Sequence, residues 1–172
     1  MMISAAENTD LLLKNAQSVH IDAMMSWFPD ADSIAHWAGP VFRFPFSRET
    51  FHKDCRWRDM VSYVLVDERD SIQAFGQLYE RSGRAHLARI SVNPANRNSG
   101  VGRVLLQKLL GEGSRTFQLS EFSLFVRRDN PVAYSLYSGA GFTKGEFPKD
   151  APMQDICFYM TRPNSNINTG DG

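Results

Sequence analysis

The chain reads as an α/β protein in its α+β form, with about seven strands and several helices among them. Two observations carry that class. Short runs rich in β-branched and aromatic residues are bounded by turn signals, and stretches of helical apolar periodicity stand among them. The length of 172 residues suits one domain, expected to span 1–163, and 42% hydrophobic content is ordinary for a globular chain.

Leu11 to Lys14 forms a short first strand, and a helix follows from about Ser18 to Trp27. Pro29-Asp30 supplies a break and an N-cap for a second helix, Ala31 to Trp37, which Gly39-Pro40 stops. The segment Phe42-Arg43-Phe44-Pro45-Phe46 is aromatic and irregular, and Ser47 caps a third helical turn to Lys53. Strands then dominate. They run from Val61 to Val66, from Ile72 to Glu80 after a polar turn, and from the Ser82-Gly83 turn to Val92, where Asn93-Pro94 ends the ladder. A helix, the strand Phe122 to Val126, the helix Pro131 to Ser138, and strands Phe142 to Phe147 and Gln154 to Thr161 complete the order. The small, polar stretch Asn164 to Gly172 is expected to be a disordered tail.

The most informative stretch is Leu87 to Leu110. Its strand leads through Arg97-Asn98-Ser99-Gly100-Val101-Gly102 into a helix with Val101, Val104, Leu105 and Leu109 on one stripe. Two glycines one residue apart let backbone amides approach a ligand. First-turn N–H groups lack helical acceptors and sit at the positive end of the helix dipole, so they attract phosphate oxygens, with Arg97 and Arg103 adding fixed charge. On these residues alone, a tight turn with no ligand is an equal reading. A Walker loop would need Gly-Lys-Ser or Gly-Lys-Thr where Gly102-Arg103-Val104 stands, and a dinucleotide fingerprint would need a third glycine or alanine at Leu105.

What remains, Arg-x-x-Gly-x-Gly after a strand ending Ile-x-Val, resembles the acetyl-CoA signature of the GNAT superfamily of N-acetyltransferases. A second match lies downstream, where Asn130, Ala133, Leu136, Tyr137, Gly141 and Phe142 fit that family's Asn, Ala-x-x-Leu-Tyr and Gly-Phe positions. The resemblance covers roughly Leu65 to Met160 and implies the GNAT fold, a mixed, mostly antiparallel central sheet of about seven strands flanked by helices, in which the strand ending at Val92 and the strand Phe122 to Val126 run parallel and splay at the acetyl-CoA cleft.

It also implies roles. Acetyl-CoA, the co-substrate, would bind through the backbone of Ile90, Ser91 and Val92 and through Arg97, Asn98, Ser99, Gly100, Val101, Gly102 and Arg103. Asn130 would either touch the pantetheine arm or cap its helix ahead of Pro131. Tyr137 would protonate the CoA sulfur, the alternative being an aromatic that packs its helix on the sheet. Ribosomal-protein N-terminal acetyltransferases place a glutamate base where this chain has Phe125, which argues against that mechanism here. Arg89 stands mid-strand among apolar neighbours, so it either pairs inside the fold or binds an acceptor carboxylate. Trp37, Phe42, Phe44 and Phe125 are the other candidates for the acceptor pocket.

The expected function is acetyl transfer to a primary amine, that of a small metabolite. The rivals are a protein or peptide N-acetyltransferase and a non-catalytic acyl-CoA-binding sensor. Nineteen basic and nineteen acidic residues cancel, which gives no reason to expect a nucleic-acid or membrane partner. The resemblance leaves a homodimer open. Cys55 and Cys157 are the sole cysteines, His20, His36, His52 and His86 are scattered, and no metal is expected. Short apolar runs and an N-terminus without a signal-peptide pattern lead to an expected cytoplasmic location.

Overall fold

The computed structural model describes residues 10–165. In chain order the elements are β1 (Leu12–Asn15), α1 (Ser18–Met24) running into a 3₁₀ turn at Met25–Trp27, α2 (Ala31–Ala38), α3 (Arg48–Cys55), β2 (Val61–Val66), β3 (Ile72–Arg81) and β4 (Arg84–Val92). A 3₁₀ turn at Pro94–Asn96 precedes α4 (Val101–Phe117), β5 (Glu121–Arg127), α5 (Pro131–Gly139), β6 (Thr143–Lys144) and β7 (Cys157–Pro163). The seven strands form one sheet in the order β1-β2-β3-β4-β5-β7-β6. The parallel pairing of β4 with β5, among antiparallel neighbours, makes it the mixed sheet that the GNAT resemblance implies.

Caps decide where the helices start. Asp30 accepts from Ser33 N–H at 2.8 Å to open α2, and Ser47 accepts from Thr50 N–H at 3.1 Å to open α3. The predicted strand Phe142 to Phe147 is cut to two residues, and the predicted Gln154 to Thr161 becomes Cys157–Pro163. The reason is local: the N–H groups of Ile156 and Cys157 both donate to Met153 O, at 3.2 and 2.9 Å, and Asp150 and Met153 are left-handed with φ of 62°. A turn therefore consumes donors that a ladder would need.

The chain folds as two compact units, one of residues up to Gln77 with Arg89–Lys108, the other of Leu78–Ala88 with residues from Leu109 on. In the first unit, β1 pairs with β2 from Leu12↔Val66 to Asn15↔Tyr63. Its core gathers Ile21, Met24, Phe28, Ile34, Phe51 and Phe75, and Trp37 stacks on Phe28 with ring centroids 4.4 Å apart. In the second unit, β5 pairs with β7 from Glu121↔Pro163 to Arg127↔Cys157, and with β4 only from Ala85↔Phe122 to Leu87↔Leu124. Phe122, Leu124, Val126 and Met160 are buried on one face of those strands.

Asn164, where the sequence predicts the start of a tail, is buried: its N–H donates to Ser120 O at 2.8 Å and its Nδ2 to Leu119 O at 3.0 Å. The rest of that stretch, 166–172, lies outside the described residues.

The two glycines of the second half of α4 make opposite demands. A Cβ at Gly111 would meet nothing within 4 Å, whereas one at Gly113 would lie 2.6 Å from Phe122 Cε1. Gly111→Ala is expected to stabilise by about 0.5–1 kcal/mol through helix propensity. Gly113→Ala is expected to destabilise by about 1–3 kcal/mol because the buried Phe122 ring must move. Urea midpoints of the two variants check this, and equal shifts would refute it.

Candidate active site

In the first unit, the end of β4 is tied to β3 before the glycine turn begins. Asn93 N–H donates to Gln73 O at 2.8 Å, Asn93 Nδ2 donates to Ile72 O at 3.2 Å, and buried Asn96 donates its side-chain amide to Gln73 Oε1. The turn that follows is left-handed at Asn98, φ 62°, and at Gly100, φ 88°. Gly100 O accepts the first helical bond, from Val104 N–H at 3.2 Å, so the N–H groups of Val101, Gly102 and Arg103 have no carbonyl within α4 to meet. Arg97, Asn98, Gly100 and Arg103 are exposed, while Val101, Leu105 and Leu109 are buried and fix the helix. These unengaged donors stand at the positive end of the α4 dipole.

Arg89 is the feature of β4 that strand periodicity does not disclose. Its backbone is left-handed, φ 51°, an interruption that ends regular strand geometry. Its Nη1 donates to Asp54 O at 3.0 Å and Cys55 O at 2.8 Å, the last carbonyls of α3, where a cation complements the helix dipole. Of the two alternatives for Arg89, this is pairing inside the fold. Trp37 Nε1 donates to Arg89 O at 2.7 Å. Trp37 and Phe42 are thereby packed with Phe51, and of the three N-terminal aromatics named for the acceptor pocket it is Phe44 that is exposed, at 39%. Burial pushes the Cys55 thiol up to about 12, which keeps it protonated near neutral pH. Past Arg89 on β4, Ile90 and Val92 are half-buried while Ser91 is buried.

In the second unit, Asn130 opens α5, its Oδ1 accepting from Ala133 N–H at 3.1 Å, so that oxygen is a helix cap. Tyr137 is buried against Phe142, ring centroids 6.2 Å apart, and burial raises its phenol to about 12. Phe125 lies in an aromatic layer with Tyr159 and Phe147, at 5.5 and 6.0 Å. His86 joins that layer, 4.9 Å from Phe125 and 5.2 Å from Tyr79, with Nδ1 2.8 Å from Ser123 Oγ. Burial, then the nearby Arg81 charge, lower its imidazole to about 3. Sequence reasoning missed His86. The signal was the alternation of β4, which puts Arg84 and His86 on one face opposite Ala85 and Leu87.

The first unit also holds an open cavity of about 470 Å³ lined by His20, Trp27, Asp70 and Pro94 among others. None of the predicted site residues lines it. Its polar walls are already engaged, since His20 Nδ1 accepts from Gln17 N–H at 3.0 Å and Nε2 meets Asp70 Oδ1 at 3.2 Å. Among the described residues no three His, Cys, Asp or Glu side chains gather to hold a metal, and no helix is long and apolar enough to cross a membrane.

A strand, a glycine turn feeding a helix N-terminus, and an Asn-capped helix followed by Gly141-Phe142 stand in the order that the GNAT resemblance implies. The chain belongs to the acetyltransferase (GNAT) family, whose model matches residues 31–142. It is similar to the mycothiol acetyltransferase of Kineococcus radiotolerans, 31% identical over 51% of this chain and 28% of that protein. It is also similar to the ribosomal protein bS18 alanine N-acetyltransferase of Salmonella typhimurium, 32% identical over 59% of this chain and 66% of that one. The chain thus spans about a quarter and about two thirds of these relatives. Among solved structures, the spermidine N-acetyltransferase from Vibrio cholerae in complex with CoA and spermine superposes with a TM-score of 0.72, at 19% identity over 92% of this chain and 98% of that one. The ribosomal-protein-S18-alanine N-acetyltransferase from Escherichia coli does so at 0.62, with 23% identity over 90% and 94%. The fold is shared; the acceptors for which these relatives are named differ from one to the next.

The buried imidazole yields a stability test. His86 ordinarily titrates near 6.5 and is held near 3 in the fold, so the unfolded chain takes up its proton first as pH falls. Its contribution is complete above about pH 6.5 and is lost progressively below, about 2 kcal/mol by pH 5 at one and a half pKa units. Urea unfolding at pH 7 and pH 5 should show a smaller acid loss in His86→Gln than in the parent; equal losses would contradict it.

Proposed function

We propose that the protein transfers the acetyl group of acetyl-CoA to a primary amine of a small metabolite. The observation that carries this reading is the left-handed Asn98 and Gly100 turn presenting the free first-turn amides of α4 in a chain of the GNAT family. That turn suits a pyrophosphate: the first-turn amides lack helical acceptors, Gly100 and Gly102 carry no Cβ, and Arg97 and Arg103 add positive charge at exposed positions. Backbone groups of Ile90, Ser91 and Val92 are suited to pairing with an extended arm, as in strand addition. Acetyl-CoA supplies an activated acyl group on a thiol that leaves readily.

The chain's own residues do the rest. N–H groups of β4 beyond the left-handed Arg89 act as donors to the oxygen on which negative charge develops. Tyr137 holds a proton for the departing sulfur. Its burial keeps the phenol protonated to about pH 12, so it is in its acid form at every working pH. Phe125 stands where the ribosomal-protein enzymes carry a carboxylate base, so the amine is taken to lose its proton to water. That same residue, and the aromatic layer around it, favour a small acceptor over an acid-lined peptide groove.

Two variants test the reading. Gly102→Val puts a branched side chain at that turn. Calorimetry should show CoA binding weakened by at least about tenfold with the melting temperature nearly unchanged; wild-type affinity in a folded Gly102→Val protein would remove the site. Tyr137→Phe keeps the ring and its packing on Phe142 but not the proton. Turnover should fall about 10- to 1,000-fold with CoA affinity retained. Because the phenol titrates near 12, the loss should be uniform below about pH 10 instead of appearing as a shifted limb. Wild-type turnover in Tyr137→Phe would leave Tyr137 as packing alone.

A further inference from the structure

The hairpin joining β3 to β4 turns on two residues, Ser82 and Gly83, both left-handed with φ of 51° and 77°. A two-residue turn of that type sets the flanking residues, Arg81 and Arg84, directly opposite each other on one face of the sheet. Two like charges so placed repel. Neither side chain is loose. Arg81 lies with Cζ 5.1 Å from the Phe125 ring centre while its Nη1 donates to Tyr79 Oη at 3.1 Å. Arg84 lies 5.9 Å from the Tyr159 ring, with Nη1 donating to Tyr159 Oη at 3.3 Å.

Negative charge near the pair is short. Arg84 Nη2 reaches Glu121 Oε1 at 3.4 Å, a long contact to a carboxylate that is 40% exposed. Among the described residues Arg81 pairs with no carboxylate, and the next cation along β5, Arg127, is closed by Asp129 at 3.0 Å. Among the described residues no acceptor meets the buried Arg84 Nε, so its guanidinium is under-coordinated. The floor beneath is rigid: Tyr159 is 2% exposed and Phe147 stacks on it at 5.8 Å. Two oriented guanidinium forks, a single carboxylate at long range from Arg84 and a fixed aromatic floor make a preorganised receptor for a planar or tetrahedral anion.

We propose that Arg81 and Arg84 form a paired-guanidinium site for an acidic group, a carboxylate or a phosphate, carried by the amine acceptor. The identity of the occupant as acceptor rests on the acetyltransferase reading, through Phe125, which shares this layer. The site selects amines that bear an acidic group and repels polycations, so the acceptor class differs from that named for the spermidine enzymes of the same fold.

Arginine Nε–H resonances of the whole protein, with and without CoA, provide the test during titration with acetate, inorganic phosphate and spermidine in turn. Saturable shifts at Arg81 and Arg84 are expected with acetate or phosphate and none with spermidine, the tighter anion telling a carboxylate from a phosphate. Arg81→Gln and Arg84→Gln, judged folded by their amide spectra, should each weaken that binding about 10- to 100-fold. Absence of saturable shifts with both anions, or undiminished affinity in both folded variants, would overturn the site. Anion shifts in a protein that does not bind CoA would instead overturn the acetyltransferase reading and leave the anion receptor in place.

Discussion

The arrangement of the first unit depends on a single left-handed residue inside a strand. A non-glycine residue at φ 51° costs about 1–3 kcal/mol, and it persists only where the surroundings over-determine it. At Arg89 they do. The guanidinium is anchored on the terminal carbonyls of α3, and the residue's own carbonyl accepts from Trp37 Nε1, which sits in the aromatic stack of Phe28 and Phe51. Side chain and backbone are held from different elements, so neither can relax without breaking the other. The fixed direction of β4 beyond this point determines where Asn93 meets β3, and so where the glycine turn presents the N-terminus of α4.

The second unit is organised by a different constraint: one face of its strands is aromatic and basic, not covered by apolar side chains alone. Phe125, Tyr159, Phe147 and Tyr79 offer ring faces, and two arginines lay their stems and guanidinium planes across them. His86 is sealed beneath, its ring paired with Ser123 Oγ and too costly to protonate near neutrality. A neutral imidazole under fixed cations is a consistent arrangement, since a charged one would meet Arg81.

Much of this was legible in the sequence because it rests on local rules. Asp30 and Ser47 act as caps, Asn93-Pro94 ends a strand, and the glycine turn opens a helix, since each depends on a few adjacent residues. The short β6 was not legible, because left-handed Asp150 and Met153 draw off ladder donors without any glycine to announce them. Nor was Arg89's conformation, which is imposed by α2 and α3 from far along the chain. Asn130 left two readings open, and its oxygen serves the helix. The Arg81 and Arg84 pairing could have been read from the Ser82-Gly83 turn, but the under-coordination of Arg84 depends on Glu121 and Tyr159, which only the folded sheet brings near.

The central claim is that the amides opening α4 receive the pyrophosphate of acetyl-CoA. Backbone amide spectra of the labelled protein during a titration with CoA test it most directly. The account predicts saturable, downfield shifts at Val101, Gly102 and Arg103, as expected for N–H groups that gain a charged acceptor. Saturation of the protein by CoA with those three amides unmoved would contradict it.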